Sequence, residues 1–271
     1  MFSGQQGEES KVAFFPYQGK QVFYEELGQG APVIFLHGNT ASARMFELLM
    51  PLYTDKFHCV LIDFLGNGRS DRVNQFPADL WQDQAGQVIA LAEYLRMGKT
   101  GLIGTSGGAW AALNAALKRP DLFCAVTADS FDGRTLHDQF AENLIAERAA
   151  ARQDPLARQF YQWCQGDDWE QVVERDTEAL SRCAREQRPL FCHPLNQLKV
   201  PVLLMGSRTD KLCRDNLKQE YEAMAALIPN AVIHFFEDGG HPAIVSNAEA
   251  AAEMISDFFH QHSFRPFEAV R

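Results

Sequence analysis

What the chain of 271 residues lacks narrows its function first. It has no excess of positive charge: 25 lysines and arginines stand against 35 acidic residues, a net charge of −10. Nucleic-acid binding needs a basic face, so no nucleic-acid partner is expected. No uninterrupted apolar run approaches the roughly 20 residues of a membrane span, so no membrane insertion is expected. Residues 1–10 lack the basic start and apolar run of a signal peptide and are expected to form a flexible N-terminal tail. The six cysteines (Cys59, Cys124, Cys164, Cys183, Cys192 and Cys213) form no C-x-x-C pair. They read as reduced thiols of a cytoplasmic protein rather than a disulfide framework. There is no His-Glu-x-x-His or comparable ligand cluster, so neither a metal nor another cofactor is expected. No internal repeat is visible.

What is present is a rhythm of buried strands and helices. Pro32-Val33-Ile34-Phe35-Leu36 and Phe57-His58-Cys59-Val60-Leu61-Ile62 are continuous apolar runs, the pattern of strands covered on both faces. Further strands are expected over residues 100–104, 123–128, 200–206 and 231–236. Between them Trp81, Ala85, Val88, Ala92 and Leu95 recur at steps of three and four, one face of a helix. A further helix is expected over residues 41–50, and the last near Ser246, whose spacing from Glu249 suits a capping box. Strands and helices alternating at this length imply a parallel sheet built from β-α-β units. Ahead of it, residues 11–27 read as an antiparallel strand pair.

The rhythm breaks between residues 134 and 198. That stretch contains helical segments (136–152 and 169–185), aromatics including Phe160, Tyr161, Trp163 and Trp169, and no convincing buried strand. It reads as a helical insertion over the sheet. The expected organisation is a core of residues 11–133 and 199–271 with an insertion at 134–198.

The chemistry centres on Gly104-Thr105-Ser106-Gly107-Gly108, which lies between a strand and a small-residue helix. A Gly-x-Ser-x-Gly there marks a nucleophile elbow, a turn so sharp that only small residues fit two positions either side of the serine. The serine needs a base. Of the eight histidines, His241 stands after the last apolar strand in a glycine-bearing loop, at the sheet edge where the elbow also lies. The histidine needs an orienting carboxylate. Asp210, after the next-to-last strand, is favoured, with Asp129 and Asp132 as rivals. An oxyanion needs donors: the backbone N–H of Gly107 at the helix start, and that of Asn39 in the loop after residues 33–36. His37 is expected to stabilise that loop rather than to react.

These motifs, together with His37-Gly38-Asn39 and Asp63 followed by Gly66-Asn67-Gly68-Arg69-Ser70, resemble those of the α/β-hydrolase superfamily, of the kind with a helical cap after the sixth strand. The resemblance implies an α/β fold: a mostly parallel eight-stranded sheet flanked by helices, the cap inserted after strand 6. It implies a serine hydrolase with the triad Ser106, His241 and Asp210, acting through an acyl-enzyme. An aspartate nucleophile, as in the related dehalogenases and epoxide hydrolases, is absent. Gly107 is smaller than the residue many relatives carry there, which suggests a wider pocket beside the oxyanion site.

One scaffold hosts many chemistries. The first expectation is a carboxylic-ester hydrolase for a small to medium, largely apolar substrate, with Phe131, Trp110 and Trp163 walling the pocket. One alternative is a carbon–carbon bond hydrolase or lyase on an acidic substrate, with Arg134, Arg208, Arg182, Arg185 or His193 as the source of positive charge. Another is a slow-turnover, ligand-sensing protein of the same fold. The partner expected is a small-molecule substrate, and the protein is expected to be a monomer or homodimer.

Overall fold

The computed structural model describes residues 10–262, so all of the expected N-terminal tail except Ser10 lies outside the described residues. The eight strands are β1 (Lys11–Tyr17), β2 (Lys20–Leu27), β3 (Ala31–Leu36), β4 (Phe57–Ile62), β5 (Thr100–Thr105), β6 (Phe123–Asp129), β7 (Val202–Ser207) and β8 (Ala231–Phe236). They form one sheet in the order β1-β2-β4-β3-β5-β6-β7-β8. Only β2 runs against its neighbours, pairing antiparallel with both β1 and β4. From β4 to β8 all pairings are parallel.

The continuous apolar runs are explained by cover on both faces. Along β3, Ile34 and Leu36 enter the core on one side, while Val33 and Phe35 enter the core on the other. The first face is covered by α1 (Leu80–Leu95), α2 (Gly107–Lys118) and α6 (Leu217–Ala225). The second is covered by a 3-10 segment, Ala43–Leu52, and by α8 (Ala248–His262). Between β6 and β7 lie α3 (Phe140–Ala151), α4 (Pro155–Gln165) and α5 (Trp169–Arg185). Among the described residues no helix is long and apolar enough to cross a membrane.

Three local expectations change. The helix expected over 41–50 is a 3-10 segment running two residues further, with Pro51 inside it. Its first N–H, that of Ala43, is taken by the Asp63 carboxylate at 2.7 Å. The capping box at Ser246 does not form. That hydroxyl donates to the carbonyls of Gly240 and Pro242 instead, closing the turn that contains the short α7 (Ala243–Ser246). Finally, α4 is an element that the aromatic cluster alone did not announce. Pro155 opens it, where a missing N–H costs nothing, and Asp154 caps it by accepting from the N–H of Ala157 at 2.8 Å.

The sheet order reverses direction around β3 and β5. The loops leaving the carboxyl ends of those two strands therefore diverge and leave a crevice, the place where open parallel sheets bind ligands. Those loops carry Asn39 and Ser106.

Candidate active site

Ser106 sits between β5 and α2 with φ 53° and ψ −124°. A non-glycine residue at positive φ is strained, and such strain persists only where the surroundings enforce it. Here β6 anchors one side, since the Ser106 N–H donates to the Asp129 carbonyl at 2.8 Å. Gly104 and Gly108 make the turn possible. A Cβ on Gly104 would stand 2.2 Å from the Gly108 carbonyl oxygen, and one on Gly108 2.3 Å from that of Leu36. Gly38 brings the β3 loop equally close, because a Cβ there would lie 2.9 Å from the Ser106 Cβ.

Ser106 and His241 line the same cavity, of about 690 Å³. The His241 Nδ1 lies 2.8 Å from Asp210 Oδ2. Burial disfavours the charged imidazole, but the hydrogen bond to Asp210 and its charge outweigh this and raise the His241 pKa above its ordinary value. The converse holds for Asp210: burial would raise its pKa, yet His241 keeps it below the usual carboxylate value. The Leu212 N–H fixes the second carboxylate oxygen at 2.9 Å.

The two rival carboxylates are engaged elsewhere. Asp129 is fully buried and accepts from Thr105 Oγ1, Ser130 Oγ and the Ile244 N–H; burial pushes its pKa up to about 6. Asp132 bonds His137 and the Arg214 N–H. Asp63 stitches two loops together, accepting from Ala43 and from both the backbone and side chain of Arg69. His37 is neutral and structural in its contacts. Its Nε2 accepts from the Phe64 N–H at 3.0 Å and its Nδ1 bonds the Gly38 carbonyl, while burial lowers its pKa.

Gly107 opens α2, and its space is already occupied. A Cβ there would come 2.0 Å from Asn39 Oδ1 and 2.8 Å from Trp81 Nε1. The absent side chain therefore does not widen the pocket at this point, as its small size had suggested; the Asn39 amide fills the gap. That amide is held at both ends. Its oxygen accepts from Trp81 Nε1 at 3.1 Å, and its nitrogen donates to Asp176 Oδ2 on α5 at 2.8 Å.

Phe131 and Trp110 line the cavity. Their rings meet edge to face at 5.4 Å, and Trp110 also lies against Trp81 at 4.3 Å. Trp163 does not line it. On α4 the inward positions are Ala157, Phe160 and Tyr161, and Trp163 turns out to 38% exposure.

None of the five cationic residues expected at the site lines the cavity. Arg134 is paired with Glu220, Arg208 with Glu237, and Arg182 donates to the Phe76 carbonyl. The arginine that does line it is Arg148 on α3. It is buried, donates to Thr40 Oγ1 at 2.7 Å and to Tyr161 Oη at 2.8 Å, and faces Asp176 at 3.6 Å. Its Nε and Asp176 Oδ1 have no hydrogen-bond partner among the described residues. Sequence reasoning missed Arg148 and Asp176 because each stands in a charged helix where nothing marks it as inward. It also missed Cys213, whose thiol lies 3.5 Å from Asp210 Oδ2 and 3.9 Å from His241 Nδ1.

Comparison with known proteins agrees with this architecture. A 2-(acetamidomethylene)succinate hydrolase of Mesorhizobium japonicum is 36% identical over 107 residues, 39% of this chain and 37% of that protein. This chain therefore matches well under half of that relative's length. A pimeloyl-[acyl-carrier protein] methyl ester esterase of Neisseria meningitidis is 26% identical over 248 residues, 83% of this chain and 92% of that one. Among solved structures, that of an E-2-(acetamidomethylene)succinate hydrolase superposes with a TM-score of 0.72 at 20% identity, covering 93% of this chain and 100% of that one. At such low identity the likeness concerns the fold. A sequence model of the alpha/beta hydrolase family matches residues 33–254, and with the strand order and the serine elbow this means that the chain belongs to the alpha/beta hydrolase family.

Proposed function

We propose that the protein is a serine hydrolase of carboxylic esters, with Ser106 as nucleophile, His241 as general base and Asp210 as its orienter. The observation that carries this reading is the strained Ser106 turn on the same cavity as a histidine whose Nδ1 is bonded to a buried carboxylate. With the Nδ1 proton committed to Asp210, the His241 Nε2 lone pair is free to take the serine proton. Ser106 then attacks the ester carbonyl, and the oxyanion is received by the backbone N–H groups of Gly107 and Asn39. His241 returns the proton to the leaving alcohol. Water, activated by the same histidine, releases the acid. The helices of the 134–198 segment act as a cap, and Phe131, Trp110, Leu144 and Leu180 offer an apolar bed for a small to medium acyl or alkyl group. We read the six cysteines, which form no C-x-x-C pair, as thiols of a reducing, cytoplasmic setting.

A second reading is favoured by one observation. Arg148 puts a cation on the cavity wall, which suits an acidic substrate and carbon–carbon bond cleavage or elimination by the same triad. Asp176 already stands against that guanidinium, so the ester reading is preferred. A panel of p-nitrophenyl esters of increasing chain length tests the choice, with Ser106→Ala as control. Turnover is expected for the wild type, with a loss on the order of 10⁶-fold in the variant. Fluorophosphonate labelling without hydrolysis of any ester would shift the assignment to the second reading, and no labelling of Ser106 would rule out an activated serine.

A further inference from the structure

Behind the histidine, two side chains of the loop after β7, Asp210 and Cys213, converge with His241 of the loop after β8. Asp210 Oδ2 is 2.8 Å from His241 Nδ1 and 3.5 Å from Cys213 Sγ, and that sulfur is 3.9 Å from the same ring nitrogen. The three ligand atoms lie within 4.8 Å of one another. A tetrahedral zinc-like ion, with about 2.0–2.3 Å to oxygen, nitrogen and sulfur, spaces such atoms about 3.3–3.6 Å apart. The triangle needs adjustments of about half an ångström or less to reach that geometry.

We propose that Asp210, Cys213 and His241 form a binding site for a thiophilic divalent cation such as zinc, cadmium or cobalt, and that occupation of this site switches the protein off. The binding half of the proposal stands on geometry alone; the inhibitory half rests on the ester-hydrolase reading.

Four features support the site. A carboxylate and a thiolate carry two negative charges, which match a divalent ion. The second oxygen of Asp210 is already held by the Leu212 N–H, the kind of outer contact that orients a metal-binding carboxylate. Cys213 and His241 line the cavity, while Asp210 lies buried behind them, so an ion would enter from the cavity side and take its fourth ligand from water there. The surroundings are anionic. The carboxylates of Asp210, Asp132 and Asp129 all act on the Cys213 sulfur. That field attracts a cation, and once the cation is bound its charge replaces the thiol proton.

The consequence for the histidine follows from counting protons. In the resting state the neutral ring carries its proton on Nδ1, bonded to Asp210. A metal on Nδ1 forces that proton to Nε2, where the ring becomes a donor and cannot accept from Ser106. Cys213 gives up its thiol proton to solvent. The balance is one cation bound and one proton released, with no redox change. Soft and borderline ions that favour sulfur and nitrogen should act this way, and magnesium should not.

The test uses the full-length protein freed of metal with EDTA and then titrated with Co²⁺. A thiolate-to-cobalt charge-transfer band that saturates at one ion per chain, with one proton released, is expected for the wild type. The band should vanish in Cys213→Ser. Zn²⁺ should inhibit ester hydrolysis reversibly, with EDTA restoring it. Within each variant's own uninhibited rate, Cys213→Ser should require about 100-fold more Zn²⁺ for half-inhibition, since losing a ligand costs at least as much as losing an outer-shell partner. Should the substituted chain fail to fold, protection of Cys213 from iodoacetamide by Zn²⁺ in the wild type, read by mass spectrometry, gives the same answer. Absorption and protection need no turnover, so they test the site even if the protein proves inactive on esters. No charge-transfer band, a band unchanged in Cys213→Ser, or no protection of Cys213 would overturn the proposal; equal Zn²⁺ inhibition of both proteins would overturn its inhibitory half.

Discussion

Replacing Gly107 with alanine adds one methyl group, and the structure gives that group nowhere to go. The backbone at this position is not in the left-handed region, so the torsions tolerate alanine; the obstacle is space alone. The new Cβ would stand 2.0 Å from Asn39 Oδ1, against an ordinary contact of 3.4 Å or more. The Asn39 amide must withdraw by more than an ångström and give up its bonds with Trp81 and Asp176. A neutral bond contributes about 1 kcal/mol and one to a charged group about 1.5–3 kcal/mol. Alanine in place of glycine in a helix returns about 1 kcal/mol. The net expectation is a destabilisation of about 2 kcal/mol, read as a fall in Tm of about 4–8 °C. The catalytic effect should be larger in proportion. Displacing the Asn39 loop misplaces one of the two donors proposed for the oxyanion, at a cost of about 10²–10³ in kcat with little change in KM. The assay is ester hydrolysis beside thermal melts of Gly107→Ala, Asn39→Ala and the double variant. Because most of the clash is with Asn39 Oδ1, and only the milder approach to Trp81 Nε1 at 2.8 Å remains without it, the double variant should lose less than the sum of the two single losses. Wild-type kcat and Tm in Gly107→Ala, or strict additivity of the two substitutions, would refute the reasoning.

Asp210→Asn should lower kcat by about 10⁴ through loss of the correct imidazole tautomer. It should also move the acid limb of the kcat/KM profile downward, since Asp210 raises the His241 pKa; in the wild type that limb should lie above the ordinary imidazole value of about 6.5. Arg148→Leu leaves Asp176 buried without its cation and should cost about 3–5 kcal/mol in a denaturant melt, whereas Arg148→Met combined with Asp176→Leu should cost less, mainly the lost bond from Asn39. Equal stability of the two proteins would show that the pair is not coupled.

The strands could be read because burial on both faces demands uninterrupted apolar residues, and runs such as Val33 to Leu36 have no other common explanation. The elbow could be read because its steric limits reach the residue choice at Gly104 and Gly108. Residues tied together by tertiary approach alone left no local trace. Arg148 and Asp176 look like solvated charges until α3 and α5 are laid over Asn39. In α3 only Leu144 and Arg148 are buried, so no apolar stripe marks the inward face. Trp163 illustrates the opposite case: an aromatic in the right segment, turned outward because Tyr161, two positions earlier, takes the inward place. Gly107 was visible as a small residue, but its meaning depended on an amide 68 positions away.

The bond between Asn39 and Asp176 bears on how this scaffold can be re-engineered. Exchanging the segment between β6 and β7 is an obvious way to change what an enzyme of this fold accepts. Here the segment also supplies one of the two bonds that hold the Asn39 amide beside the nucleophile. A transplanted segment without a carboxylate at the place of Asp176 would leave that amide held only through Trp81. The graft could gain a new pocket and lose rate in the same step, so a recombination library should hold position 176 constant while the rest of the segment varies.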